Sequence, residues 1–148
     1  MISFFGKNKK AATPVSNENN KGNENADGQT ILIVDDSPTE IHVLRKVLEE
    51  KGFKIEVAAD GQQGVEKARE ILPDLILMDV VMPVLNGFQA TRQLSKDEDT
   101  ANIPVIMVTT KDQEADKNWA KRQGATGYVV KPISADELLS KVSEALSG

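Results

Sequence analysis

Leu75-Ile-Leu-Met-Asp79 is four consecutive apolar residues closed by a carboxylate, and the reading of this stretch decides the fold. Apolar residues without alternation describe a strand covered on both faces, as strands of a parallel sheet are. Outward from it, the same signature recurs. Ile31-Leu-Ile-Val34 runs into Asp35 and Asp36, residues 103–108 run into Thr109 and Thr110, and residues 126–130 run into Lys131. Lys54–Ala58 makes a fifth short β-prone run. Between these runs the apolar spacing becomes helical. Ile41, Leu44, Val47 and Leu48 share a face within residues 39–51, and Val65, Ala68 and Leu72 point inward within residues 61–72. Further helices are predicted over Gly87–Lys96, 112–123 and 135–146, the last with Leu138, Val142 and Leu146 on one face. Gly52, Pro73 and Gly124 act as stops.

Five strands alternating with five helices predict an α/β fold, a doubly wound parallel sheet with helices on both faces. Parallel strands need crossovers, and right-handed crossovers lay helices over the sheet. In such sheets ligands bind beyond the carboxyl ends of the strands. The residues at those ends are Asp35 and Asp36, Asp79, Thr109 and Thr110, and Lys131, far apart in the chain and brought to one edge by the topology. Three carboxylates in one pocket repel, by about 4 kcal/mol per pair at about 4 Å and an effective dielectric near 20. A raised pKa or a bound cation relieves this. Mg²⁺ fits best, because it binds through one or two carboxylates and keeps waters that a phosphate oxygen can replace. Lys131 adds a mobile ammonium suited to a phosphoryl oxygen, and the Thr109 hydroxyl can donate to another. A carboxylate nucleophile, a metal, a lysine and a hydroxyl are together the parts for in-line phosphoryl transfer to an aspartate. Each part alone is ordinary loop chemistry. Their coincidence at the ends of four strands is what carries the reading.

The 148-residue chain suits one domain. It has no cysteine, so disulfides, thiolate zinc sites and cysteine nucleophiles are excluded. Its net charge of -5 argues against nucleic acid. No apolar stretch is long enough to span a membrane. The apolar run at the N-terminus is too short for a signal peptide and its lysines follow it, so the expected location is cytoplasmic. Residues 1–29 are expected to form a disordered tail, rich in asparagine and almost devoid of apolar residues after position 5, with Ile2, Phe4 and Phe5 read as a frayed tip in preference to a short docking or membrane-touching element. The domain proper is expected over residues 30–148. His42 is expected at the surface, and Trp119, in mid-helix, is expected to be a packing residue.

The segments Ile31-Leu-Ile-Val-Asp-Asp-Ser-Pro, Leu77-Met-Asp-Val-Val-Met-Pro, Val108-Thr-Thr-Lys and Gly127-Tyr-Val-Val-Lys-Pro resemble the defining motifs of response-regulator receiver domains, the CheY-like family. The resemblance covers about residues 30 to 147 and implies strand order 2-1-3-4-5. It implies that Asp79 is the phosphoacceptor, that Asp36, Asp79 and the backbone carbonyl of Val81 ligate Mg²⁺, and that Asp35 holds metal-bound water. Lys131 would contact the phosphoryl group, with Lys131-Pro132 a cis peptide. Thr109 would be the switch hydroxyl and Tyr128 the aromatic side chain that follows it. A population shift on phosphorylation would then reshape a partner face that includes Lys117, Lys121 and Tyr128. Val81 and Lys111 occupy positions that tune the lifetime of the phosphoryl group, and altered autodephosphorylation is expected of them.

Asp36-Ser-Pro-Thr-Glu, Val81-Met-Pro-Val-Leu-Asn-Gly-Phe-Gln-Ala-Thr-Arg-Gln-Leu, Thr109-Thr-Lys-Asp-Gln-Glu and Lys121-Arg-Gln-Gly-Ala resemble the PilH-type regulators of type IV pili and twitching motility. That resemblance implies a stand-alone, monomeric regulator phosphorylated by a CheA-like histidine kinase. The chain stops 17 residues after Lys131, so its output is expected through contact with a protein effector of the pilus machinery, not through an enzymatic activity. One alternative is a phosphate sink that drains a shared kinase. From another class, an aspartyl-phosphate phosphatase would carry an Asp-x-Asp pair with its nucleophile on the first strand. Here the pair is adjacent and the presumed nucleophile is on the third. The lone His42 offers no serine–histidine–acid triad.

Overall fold

The computed structural model describes residues 28–147. The expected tail and its Ile2, Phe4 and Phe5 tip lie outside the described residues, apart from Gly28 and Gln29. In chain order the elements are β1 (Thr30–Val34), α1 (Pro38–Glu49), β2 (Lys54–Ala58), α2 (Gly61–Ile71), β3 (Leu75–Met78), α3 (Gly87–Lys96), β4 (Val105–Thr109), α4 (Glu114–Gln123), β5 (Gly127–Val130) and α5 (Ala135–Ser147). All four strand pairings are parallel, and the sheet order is β2-β1-β3-β4-β5. This is the doubly wound arrangement expected.

The period-2 pleat sorts the apolar strands into two cores. Ile31, Ile33, Leu75, Leu77, Ile106 and Val108 point to one face, where Leu44 and Leu48 of α1 and Leu138 and Val142 of α5 cover them. Leu32, Val34, Ile76, Met78, Val105 and Met107 point to the other, against Val65 and Ala68 of α2, Ala90 and Leu94 of α3 and Ala120 of α4. Leu77 is 1 % exposed. Burial of that kind contributes roughly 1.5–3 kcal/mol per side chain, so β3 is held rigidly at the centre of the sheet. α2 approaches β1 so closely that a Cβ on Gly64 would stand 2.8 Å from Val34 Cγ1.

Several boundaries and orientations depart from the sequence reading. β4 begins at Val105, because Pro104 has no N–H for the ladder. α4 begins at Glu114, with Gln113 as its N-cap. Leu72 does not point inward. It is 54 % exposed, because it ends α2 in the left-handed conformation (φ 47°), a position before Pro73 where the helical region is disfavoured. Trp119 is not a packing residue either, being 47 % exposed. The buried stripe of this very polar helix is only Ala120 and Gln123, and a residue next to Ala120 is turned about 100° away from it. His42 is exposed, as expected.

Candidate functional site

At the carboxyl edge of the sheet, β1 delivers Asp35 and Asp36 and β3 delivers Asp79. One carboxylate oxygen from each lies within 4.8 Å of the others. Asp35 is 2 % exposed, and Asp36 is exposed at the rim. The backbone fixes both main positions by continuing the sheet. Asp35 N–H donates to Ala58 O at 3.1 Å, and Asp79 N–H donates to Val34 O at 2.9 Å. The Asp35 carboxylate accepts from Ser37 N–H at 2.9 Å, so it orients itself within the turn that starts α1. Ser37 caps that helix. Asp79 Oδ1 accepts from Val80 N–H at 2.8 Å. Gly87 N–H donates to Val80 O at 2.9 Å, and a Cβ on Gly87 would collide with Asp79 O, so glycine is required where α3 begins.

Lys131 leaves β5 and crosses into this pocket with its side chain 8 % exposed. Its Nζ lies 3.0 Å from Asp35 Oδ2, 3.7 Å from Asp79 Oδ2 and 3.8 Å from Glu40 Oε1. Its backbone N–H donates to Thr109 O at 2.8 Å, which ties the end of β5 to the end of β4. The Lys131-Pro132 peptide is cis, as the family resemblance implied. Burial alone would lower the Lys131 ammonium pKa, but the Asp35 hydrogen bond and the charges of Asp79, Asp35 and Glu40 outweigh it and hold it above its ordinary value. Burial also pushes the Asp79 carboxyl up. Lys131 opposes that rise, Asp35 and Asp36 add to it, and the Val80 hydrogen bond moderates it. One ammonium therefore does not bring Asp79 back to its ordinary value.

Thr109 is fully buried at the end of β4, next to β3 in the sheet, and its Oγ1 accepts from Lys111 N–H at 3.3 Å. Thr110 is exposed beside it. Val81, whose carbonyl was the expected third ligand, has a side chain turned to solvent, the residue being 62 % exposed. Tyr128 is half-buried and donates its hydroxyl to Lys111 O at 2.8 Å. Burial first, then Asp116 and Asp112, push its phenol up to about 12, so this donor persists across the physiological range. Lys117, Lys121 and Tyr128 together line a cavity of about 220 Å³ between α4 and β5.

The residue that sequence reasoning missed is Glu40. Ser37-Pro-Thr-Glu40 has the Ser-x-x-Glu form of a helix capping box, which assigns the glutamate a local task. In the structure Ser37 does accept from Glu40 N–H at 3.3 Å, but the glutamate side chain reaches Lys131.

An acidic triad and a buried lysine at the carboxyl edge of a five-stranded parallel sheet define a receiver-type signalling module, and the chain belongs to the response-regulator receiver domain family, whose model matches residues 31–143. Of individual relatives, it is 57 % identical over 118 residues to protein PilH of Pseudomonas aeruginosa, a match covering 80 % of this chain and 98 % of that one. It is 37 % identical over 118 residues to the DNA-binding response regulator MtrA of Mycolicibacterium smegmatis, covering 80 % of this chain but 50 % of that protein. Among solved structures, chemotaxis protein CheY4 of Vibrio cholerae superposes with a TM-score of 0.75 at 33 % identity, over 80 % of this chain and 98 % of that one. The receiver domain of a sensor histidine kinase from Pseudomonas aeruginosa, solved with a magnesium ion coordinated in its active-site cleft, superposes with a TM-score of 0.76 at 32 % identity, over 82 % of this chain and 99 % of that one. The chain is thus a two-component response-regulator receiver homologous to PilH. Among the described residues no helix is long and apolar enough to cross a membrane.

Proposed function

We propose that this chain is a stand-alone, cytoplasmic, monomeric response regulator that accepts a phosphoryl group on Asp79 from a CheA-like histidine kinase and controls type IV pilus motility by protein contact. The observation that carries the proposal is the charge pattern of the pocket: three clustered carboxylates with one buried ammonium within 4 Å of Asp79. The Asp79 oxygen attacks the phosphorus, the P–N bond of the donor's phosphohistidine breaks, and the leaving imidazole takes up a proton. Lys131 offsets charge on the transferred group, and Thr109 donates its hydroxyl to it. All available donors being hard oxygens, the residues present fit Mg²⁺, with Asp36, Asp79 and the Val81 carbonyl as ligands and Asp35 behind a metal-bound water. When bound, the ion neutralises charge on the phosphoryl oxygens and on the carboxylates around them.

The output follows from Thr109 and Tyr128 both bonding to the backbone of Lys111. The Thr109 hydroxyl accepts from the same residue, Lys111, whose carbonyl the Tyr128 hydroxyl holds. Drawing Thr109 toward Asp79 therefore disturbs the Tyr128 tether and the cavity lined by Lys117 and Lys121, the face that a partner would read. The receiver unit is taken as residues 30–148, with residues 1–29 as a tail.

Incubation with acetyl phosphate and Mg²⁺, followed by intact mass, tests the reading. One phosphoryl adduct is expected, lost in Asp79→Asn and in EDTA. Absence of an adduct on folded protein contradicts the proposal.

A further inference from the structure

We propose that Glu40 is a positioning and selectivity residue of this site: its carboxylate holds Lys131 toward α1 and places negative charge where free, doubly charged phosphodonors must enter. The inference rests on the phosphoacceptor reading of Asp79. Glu40 is placed by helix geometry. Its N–H is fixed by the Ser37 cap at 3.3 Å, and from the first turn of α1 its side chain reaches Lys131 Nζ at 3.8 Å. Of the three carboxylates around that ammonium, Asp35 and Asp79 are 2 % and 11 % exposed at the side chain, whereas Glu40 is 42 % exposed. Glu40 is therefore the solvent-facing carboxylate of the three, and the other two stand inside.

Two consequences follow from the distances. Lys131 lies 3.0 Å from Asp35 but only 3.7 Å from Asp79, so before reaction it makes no hydrogen bond to the acceptor. Glu40 pulls the same ammonium from the outer side. Glu40 and Asp79 oxygens, each that close to one nitrogen, stand no more than about 7.5 Å apart. That lies within a Debye length of about 8 Å at physiological ionic strength, so an anion approaching Asp79 feels the Glu40 charge. A free phosphodonor has nothing else to offset that repulsion. A phosphohistidine presented by a docked protein brings contacts of its own. Glu40 thus disfavours phosphorylation by small free donors and leaves transfer from a docked kinase comparatively unaffected.

The test compares two donors of different charge on the full chain. Glu40→Gln preserves length and polarity while removing the charge. Its rate of adduct formation with acetyl phosphate, a dianion at neutral pH, is expected to rise about three- to fivefold at low salt. With phosphoramidate, largely a monoanion, the gain is expected to stay below about twofold. The gain fades as ionic strength rises, and Glu40→Asp stays near the wild-type rate. A side chain acting only on α1 stability would alter both donors equally and would not respond to donor charge. An unchanged rate in Glu40→Gln, or the same change for both donors at every salt concentration, overturns the inference while leaving the phosphoacceptor reading intact. If the folded wild-type chain accepts a phosphoryl group from neither donor, that underlying reading fails and this inference with it.

Discussion

Asp74 and Asp79 stand just before and just after β3, five residues apart, and their surroundings differ in almost every respect. At the amino edge, Asp74 is exposed, accepts Thr30 N–H at 2.8 Å through Oδ2 and returns its own N–H to Thr30 O at 2.9 Å. Its charge is fully employed in starting the β1–β3 ladder. At the carboxyl edge, Asp79 faces Asp35, Asp36 and a lysine shared with two other acids, and its carboxyl is held above its ordinary pKa by burial. The same residue type flanking one strand is a structural clamp at one end and a buried, incompletely neutralised charge at the other. Chemistry sits where the fold leaves charge unrelieved, and stability sits where hydrogen bonds satisfy it.

The largest expected effect comes from removing the buried ammonium of the acidic pocket. Lys131→Met leaves Asp35 buried without its counter-charge, and urea denaturation should show a loss of about 3 kcal/mol at neutral pH. By contrast Arg69→Met, which breaks the 2.6 Å pair with Asp97 at the surface, should cost far less, because that pair is solvent-screened. Equal costs for the two would break the contrast between buried and exposed charge.

Neutralising the two β3 aspartates should act with opposite sign. Asp79→Asn is expected to stabilise the metal-free protein modestly at neutral pH, because it removes a carboxylate whose charged form is disfavoured first by burial and then by Asp35 and Asp36. Asp74→Asn is expected to destabilise it by about 1 kcal/mol, through the weakened clamp. The pH dependence follows from the direction of the Asp79 shift. An acid whose folded pKa is raised holds its proton more tightly in the folded state, so stability falls as pH rises from its ordinary value of 3.8 to its folded value. The advantage of Asp79→Asn should therefore be full at neutral pH and vanish at low pH. Mg²⁺ should raise the melting temperature of the wild type more than that of Asp79→Asn. A thermal-melt series over pH, with and without Mg²⁺, checks all of this.

Smaller effects are expected in the loop that follows Asp79. Val81→Asn, at a solvent-facing position two residues from Asp79, should shorten the lifetime of the phosphorylated protein several-fold by positioning water. An unchanged decay rate would remove this position from the account. Val84 is 80 % exposed at φ 71°, inside a tight turn closed by Leu85 N–H to Pro83 O at 2.8 Å. A β-branched residue is strained there. Val84→Asn should accordingly gain about 0.5–1 kcal/mol in chemical denaturation.

The sheet was legible because each strand is a short apolar run that stops at a polar residue, and the parallel topology then assembles Asp35, Asp36, Asp79, Thr109 and Lys131 at one edge. Helix faces were less legible. Leu72 matched the helical spacing of Val65 and Ala68, yet the backbone leaves the helix there and turns the side chain out. Trp119 lies on a helix whose buried stripe is too narrow to include it. Glu40 was hidden because its local pattern already supplied an explanation, and its long-range contact with Lys131 spans 91 residues of chain. What pattern reading misses is long-range charge pairing, since periodicity reports which face is apolar and says nothing of where a flexible acid reaches.

The central claim is that Asp79, and not its clustered neighbours, takes the phosphoryl group. Borohydride reduction of the acetyl phosphate adduct, followed by peptide mapping, converts a phosphorylated aspartate to homoserine at its own position. Homoserine at position 79, formed only with Mg²⁺, is the predicted result. Homoserine at position 35, 36 or 74, or an adduct indifferent to Mg²⁺, would contradict the account.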